Sequence, residues 1–195
     1  SGGWSNNAGF YQNTSGWPGV SESGDGFGSA LTTGDFNNDG YDDMVIGSPY
    51  EDLGGSNQLV DAGIITVAYG SASGLTNPVN LHQYSPGVGT NSESGDLFGA
   101  SLASGDINGD GYDDVVVGVP GEGISKRDRA GAVHVIYGSA SGLTGVDSDL
   151  LHQDARGVKS RAEVDDAFGE AVETGDINGD GYDDVIVGVP GEGVG

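Results

Sequence analysis

The chain has 195 residues, 39 of them Gly, and its 30 Asp or Glu against six Lys or Arg give a formal net charge of −24. So negative a chain argues against nucleic acid and anionic membranes as partners, and the lack of Cys excludes disulfides and a thiol nucleophile. No apolar run approaches the roughly 20 residues of a membrane span, so we expect no membrane insertion.

Residues 1–20 are rich in Gly, Asn and Ser. Within them, Phe10-Tyr11-Gln12 lies 71 residues before the similar Leu81-His82-Gln83, and the pattern recurs at residues 151–153. We therefore predict that residues 10–13 form an outer strand, and that residues 1–20 are the terminal strand of a preceding or shared unit.

The rest of the chain reads as a repeat whose units each begin at Phe-Gly. The first unit predicts strands at residues 29–33, 44–49, 64–69 and 79–84, with a turn at 70–76. The second repeats the pattern, with strands at residues 115–120, 132–137 and 150–153. The third reaches a strand at residues 185–190.

Short β-branched runs separated by Gly-rich turns predict an all-β fold of four-stranded antiparallel, up-and-down units. The predicted boundaries are residues 21–86, 87–155 and 156–195, the last unit being truncated after its second strand.

A nine-residue acidic loop recurs at residues 35–43, 106–114 and 176–184. In the second copy, side-chain oxygens fall at loop positions 1, 3, 5 and 9, a Gly at position 6 permits a sharp turn, and Tyr112 at position 7 can offer its carbonyl. Such an all-oxygen cage suits Ca²⁺ better than Mg²⁺. The loops contain neither Cys nor His, so zinc and copper are not expected there. A plain hairpin turn is the alternative, but three copies in register favour a cation.

The order Phe-Gly, Gly-Asp-x-Asn-x-Asp-Gly-Tyr-Asp-Asp and Gly-x-Pro resembles the FG-GAP repeats of the integrin α-subunit propeller and its bacterial secreted relatives, from about residue 20 to the end. The resemblance implies tandem propeller-type blades with a calcium loop between the first two strands. Propellers of this family usually have seven blades, whereas this chain has material for about three, so we expect no closed ring within one chain.

Carried over by motif, the resemblance implies three Ca²⁺ sites. Their ligands would be Asp35, Asn37, Asp39, the Tyr41 carbonyl and Asp43; Asp106, Asn108, Asp110, the Tyr112 carbonyl and Asp114; and Asp176, Asn178, Asp180, the Tyr182 carbonyl and Asp184.

All six basic residues lie late in the chain, whereas residues 1–125 contain no Lys or Arg. They form two groups, at residues 126–129 and 156–161. Because loops of an up-and-down blade alternate between its ends, both groups should lie at the end opposite the calcium loops. They are predicted partner-binding residues, with accidental placement on solvated loops as the alternative: Lys126, Arg127, Arg129, Arg156, Lys159 and Arg161.

No catalytic group is predicted. His82 and His152 occupy equivalent repeat positions, which favours a packing or edge role, and no Gly-x-Ser-x-Gly elbow is present. Acidic loop residues such as Glu51 and Glu122 are expected to be solvated rather than acid–base pairs.

Three functions remain open. The first is a secreted, calcium-stabilised structural or adhesive protein that assembles head to tail with itself into an extracellular oligomer or filament. The second is a lectin-like or adhesin-like propeller module of a longer cell-surface or extracellular protein, with a protein or glycan ligand. The third is part of a phospholipase-like enzyme, for which no nucleophile is visible.

Overall fold

The computed structural model describes residues 9–54 and 58–193, and these ranges contain ten strands in three antiparallel sheets and no helix. The first sheet contains β1 (Leu31–Gly34), β2 (Asp43–Ser48), β3 (Ile64–Tyr69) and β4 (Thr76–Leu81). The second contains β5 (Leu102–Gly105), β6 (Asp114–Val119), β7 (Ala132–Ile136) and β8 (Asp149–Leu151), and the third contains β9 (Ala171–Gly175) and β10 (Asp184–Gly188). Each sheet keeps chain order, which confirms the prediction of up-and-down, propeller-type blades.

The first strands of the three blades lie beside one another. The hydroxyl oxygens of Thr32 in β1 and Ser104 in β5 are 2.7 Å apart, and the Thr174 hydroxyl in β9 donates to the Ser104 carbonyl at 2.6 Å. The blades thus lie side by side around their innermost strands and, in the described residues, do not close into a ring.

Strand β6 is buried on both faces. Val115 and Val117 pack with Ile65 in the core between the first two blades, whereas Val116 packs with Phe168 in the core between the second and third. Because side chains alternate along a strand, a strand covered on both faces needs an unbroken apolar run. Strand β10 has a similar sequence but is only partly buried, since the described chain places no blade beyond it.

The Phe-Gly motif joins one blade to the preceding one. The Phe98 N–H donates to the Ala62 carbonyl at 3.0 Å, and Phe98 is fully buried. A Cβ on Gly47, in the preceding Gly-x-Pro motif, would collide with the Gly99 carbonyl. The two motifs therefore recur together because their glycine backbones pack against each other across the blade interface.

The outer strands begin and end earlier than their patterns predict. Strand β4 spans Thr76–Leu81 instead of residues 79–84, because Thr76 already pairs with Tyr69 and a turn follows, in which Ser85 N–H donates to the His82 carbonyl at 2.8 Å. Strand β8 likewise ends at Leu151, not at residue 153.

The predicted strand at residues 10–13 is not formed. Thr14 N–H donates to the Tyr11 carbonyl at 2.7 Å in a turn, and no strand lies between residues 9 and 30. What recurs instead is a contact between blades: the Gln12 amide donates to the Glu51 carboxylate at 2.6 Å, as Gln83 does to Glu122 at 2.6 Å. The repeated glutamine thus marks this hydrogen bond and not a strand. Residues 1–8 of the predicted terminal segment lie outside the described residues.

A membrane-spanning helix is not found among residues 9–54 and 58–193.

Candidate metal loops

Each predicted metal loop connects the first two strands of its blade. Residues 35–42 join β1 to β2, residues 106–113 join β5 to β6, and residues 176–183 join β9 to β10. All three loops therefore lie at the same end of their blades, at the positions that the sequence predicts.

The position-1 aspartate is the centre of each loop. Both carboxylate oxygens of Asp106 accept backbone N–H groups: Oδ1 from Gly109 at 2.8 Å and from Asp110 at 3.1 Å, and Oδ2 from Gly111 at 3.0 Å. Asp35 and Asp176 accept the corresponding N–H groups of positions 5 and 6. These bonds wrap the loop backbone around one carboxylate.

Positions 3 and 5 are fixed in the same way in every copy. The Asn108 side-chain oxygen accepts the Asp110 N–H at 2.9 Å, and Asp110 Oδ1 accepts the Tyr112 N–H at 3.0 Å. The distances are the same in the other two loops, around Asn37 and Asp39 and around Asn178 and Asp180. The structure thus brings positions 1, 3 and 5 together, held by short side-chain-to-backbone bonds.

In the first two blades, the position-9 aspartate joins the loop to the turn that follows the third strand. Asp114 is fully buried; its Oδ2 accepts the Ile107 N–H at 3.0 Å, and its Oδ1 accepts the Gly138 N–H, just after β7, at 2.9 Å. Burial raises the pKa of Asp114 to about 6, against the lowering effect of these N–H groups. Asp43 makes the equivalent bonds to Phe36 and Gly70. Asp184 keeps the bond to Ile177 and is also contacted by the Asn178 amide.

The donor chemistry of the loops fits a hard divalent cation, since every candidate ligand is an oxygen. In the described residues, however, no three His, Cys, Asp or Glu side chains are arranged together to hold a metal ion. The carboxylates at positions 1 and 9 are both directed toward backbone N–H groups. The side chains of Tyr41 and Tyr182 at position 7 are exposed, so only their carbonyls are candidate ligands.

Sequence reasoning missed the aspartate at position 8. Asp113 Oδ2 accepts the Asp35 N–H of the preceding loop at 2.8 Å, and Asp183 Oδ2 accepts the Asp106 N–H at 3.1 Å. The only available signal was that Asp-Asp ends all three loops, because the contact joins residues 77 or 78 positions apart.

The basic residues lie at the opposite end of the strands from the metal loops. The Arg127 guanidinium pairs with the Asp154 carboxylate at 2.8 Å, and that of Arg129 pairs with Asp165 at 3.1 Å. These pairs join the loop after β6 to the loop after β8, so both basic groups share one surface. Four predicted partner-binding residues form no ion pair in the described part of the chain: Lys126, Arg156, Lys159 and Arg161.

The histidines contact the blade interior and not the metal loops. His134 is fully buried in β7, its Nε2 lies 3.0 Å from the Thr90 hydroxyl, and burial lowers its pKa to about 4. Burial also lowers the pKa of His82. Both shifts favour the neutral imidazole.

Comparison with known proteins identifies the repeat. A family model described as FG-GAP repeat matches residues 27–67, 98–136 and 168–195, which is more than half of the chain. Each segment begins at Phe-Gly, contains one metal loop, and lies within one of the three predicted repeats; the outer limits of those repeats stay predictions.

Three similar proteins illustrate the relationship. Integrin alpha-3 of Cricetulus griseus is 31% identical over 169 residues, which cover 83% of this chain and 14% of that protein. Integrin alpha-7 of Mus musculus is 32% identical over 170 residues, with coverages of 84% and 12%. Phosphatidylinositol-glycan-specific phospholipase D of Bos taurus is 31% identical over 165 residues, with coverages of 84% and 18%.

The chain thus spans less than a fifth of the length of these relatives. Each of its three family matches contains the first two strands of one antiparallel sheet, and successive sheets are joined through their Phe-Gly and Gly-x-Pro motifs. The chain belongs to the FG-GAP repeat family.

Proposed function

We propose that this chain is a calcium-binding FG-GAP propeller segment that acts outside the cell in adhesion or ligand binding. The observation that carries the proposal is that, in all three loops, the side chains at positions 1 and 3 accept the position-5 N–H and the side chain at position 5 accepts the position-7 N–H. The extracellular and adhesive role is supported by the similarity to integrin alpha subunits.

The proposed ligands are the side chains at positions 1, 3, 5 and 9 and the carbonyl at position 7. Positions 1, 3 and 5 are already gathered, and the carboxylates at positions 1 and 9 would have to share their oxygens between an ion and the backbone N–H groups they now accept. A bound Ca²⁺ would offset the repulsion among the loop carboxylates, which are part of a net charge of −24.

Calcium titration of EDTA-treated protein by isothermal calorimetry tests this proposal. We expect three Ca²⁺ per chain, one lost for each Ala substitution among Asp39, Asp110 and Asp180. A matched control is Asp61→Ala, a carboxylate outside the loops that should keep the stoichiometry at three. Binding of no Ca²⁺, or binding unchanged by the loop substitutions, would contradict the proposal.

The prediction that the chain is not an enzyme stays a prediction, because one relative is a phospholipase D. The three FG-GAP matches and the integrin similarity favour a binding role. Incubation with a phosphatidylinositol-glycan-anchored substrate should release no product. Release that disappears in a point variant of this chain would show catalysis.

Self-assembly is a second candidate, favoured by the third blade. Strand β10 pairs only with β9 in the described residues, and Ile186 on β10 is 43% exposed. An unpaired strand edge is a template for another strand, either of a second copy or of a longer chain. The exposed basic residues Lys126, Arg156, Lys159 and Arg161 would then face the acidic early part of the next copy.

Light scattering behind size exclusion, over a protein concentration series in CaCl₂, tests self-assembly. We expect the particle mass to rise with protein concentration and to fall in EDTA, and charge reversal at Arg156 and Lys159 to reduce association. A monomer at every concentration would favour the ligand-binding module instead.

A further inference from the structure

The position-8 aspartate holds both backbone groups of position 1 in the preceding loop. Asp113 accepts the Asp35 N–H through its side chain, and the Asp113 N–H donates to the Asp35 carbonyl at 3.3 Å. Asp183 repeats both contacts with Asp106, where the backbone bond is 3.0 Å. The three loops are therefore joined in a row by two equivalent links.

The links are closely packed. A Cβ on Gly34 would collide with the Asp113 side chain, and a Cβ on Gly105 would collide with that of Asp183. The equivalent Gly175 of the third blade has open space around it, because the structure describes no fourth loop to pack there. Glycine before position 1 thus gives the neighbouring aspartate room to reach the backbone.

Each link connects a residue that lies between two proposed ligands of one loop to the first proposed ligand of the preceding loop. Asp113 lies between positions 7 and 9 of the second loop, so an ion there would restrain it from both sides. Asp113 in turn holds Asp35, whose carboxylate organises the first loop through the N–H groups of Asp39 and Gly40. A restraint on Asp113 would therefore also restrain the backbone of Asp35, the first proposed ligand of the neighbouring loop.

We propose that Asp113 and Asp183 are positioning residues that couple adjacent calcium loops, so that an ion in one loop raises the affinity of the next. This inference rests on the proposed calcium binding. Coupling between binding sites is reciprocal, so each link acts in both directions along the row.

The chain contains matched controls for this link. Asp42 is the position-8 aspartate of the first loop; it is exposed, and its carboxylate accepts no hydrogen bond in the described residues. Asp42→Ala therefore removes the same charge from the same loop position without breaking a link. Asp113→Asn also removes the charge but keeps an oxygen that can accept the Asp35 N–H.

Site-resolved titration tests the coupling. Gly40, Gly111 and Gly181 each donate to the position-1 carboxylate of their own loop, so their amide signals in ¹H–¹⁵N spectra report each loop separately as CaCl₂ is added to the EDTA-treated chain. We expect Asp113→Ala to raise the calcium midpoint of Gly40 at least about fivefold. Asp113→Asn and Asp42→Ala should leave that midpoint near the wild-type value.

A double-mutant cycle separates coupling from local support of the loop. Asp110→Ala empties the second loop and should raise the Gly40 midpoint although Asp113 is intact, and adding Asp113→Ala should then change it little further. If Asp113 merely supported the first loop, Asp110→Ala would leave the Gly40 midpoint unchanged, and the coupling would be overturned.

Failure of the coupling is distinguishable from failure of calcium binding. If no glycine signal moves with CaCl₂, calcium binding itself is wrong; if all three move but Asp113→Ala leaves the Gly40 midpoint unchanged, only the coupling is wrong. Should Asp113→Ala lose its dispersed spectrum, Asp183→Ala gives the same test through the midpoint of Gly111.

Discussion

Within the second metal loop, the position-5 aspartate uses only one of its oxygens on the loop itself. Asp110 Oδ1 accepts the Tyr112 N–H, and within the described residues Oδ2 accepts no hydrogen bond, which leaves it available to an ion. Tyr112 contributes only its backbone to the proposed site. The two residues therefore differ in what a substitution by Ala removes.

We predict that Asp110→Ala removes calcium binding at the second loop, and that Tyr112→Ala only weakens it because the carbonyl is retained. The midpoint of the Gly111 amide signal in a calcium titration measures both. Equal losses would show that the tyrosine ring, and not its carbonyl, matters to the site.

Glu122 is expected from the sequence to be solvated, but it is half-buried at the interface between the second blade and the segment after β4. It accepts the Gln83 amide at 2.6 Å, and burial, then the neighbouring Asp96 and Glu93, raises its pKa to about 7. Because the folded chain holds this proton more tightly than an unfolded chain, whose glutamate has a pKa of 4.5, its stabilising effect is present below pH 4.5 and is lost as the pH rises through about 7.

Glu122→Gln keeps an acceptor for Gln83 but cannot ionise. The free energy of unfolding of this variant should therefore fall less than that of the wild type as the pH rises. Urea unfolding at pH 5 and pH 7.5 in saturating CaCl₂ measures the difference, with the exposed Glu170→Gln as control. A fall in unfolding free energy as steep as that of the wild type would contradict the assignment to Glu122.

At the scale of the elements, the glycines of Gly-x-Pro set how closely successive blades approach. A Cβ on Gly118 in β6 would collide with the Gly169 carbonyl of the third blade, whereas a Cβ on the equivalent Gly188 in β10 would only meet the Ala171 Cβ at 3.3 Å. The difference arises because β10 has no further blade packed against it in the described chain.

Gly118→Ala should therefore destabilise the fold by about 1–3 kcal/mol through overpacking, and Gly188→Ala should cost less. Thermal or urea unfolding in CaCl₂ compares the two variants. Equal losses would show that the blades separate easily at this interface.

The sequence predicts elements best where one blade alone determines them. Strand β3 has the predicted bounds because its run of Ile and Val ends at turn residues. The sequence predicts the outer strands at the wrong residues. Gln12, Gln83 and Gln153 each donate a hydrogen bond to a glutamate of the following blade, and their recurrence resembles a strand pattern.

The metal loops are likewise predicted only as far as contacts within each loop determine them. Their spacing predicts which oxygens lie on each loop, but one hydrogen bond of Asp114 depends on Gly138 after β7, and the contact of Asp113 depends on the preceding blade. Such contacts join distant segments, so the recurrence of Asp-Asp in the sequence does not reveal the partner of either aspartate.

At the scale of the whole molecule, three similar blades are joined by apolar cores, glycine contacts and links between acidic loops. The same loops concentrate negative charge in a chain with few basic residues. An ion that neutralises each loop while fixing its backbone would stabilise every blade and the contacts between blades together. Calcium is therefore expected to contribute to the free energy of unfolding and not only to local loop order.

Thermal unfolding in CaCl₂ and in EDTA tests this account most directly. With free Ca²⁺ at 100 times the dissociation constant, one site adds about 2.7 kcal/mol, which corresponds to a rise in melting temperature of roughly 5–10 °C for a chain of this size. MgCl₂ at the same concentration controls for screening of the net charge, and the Asp39→Ala, Asp110→Ala, Asp180→Ala triple variant should lose the response. We expect a higher melting temperature in CaCl₂ than in EDTA or MgCl₂; the same melting temperature in all three would show that calcium does not stabilise the fold.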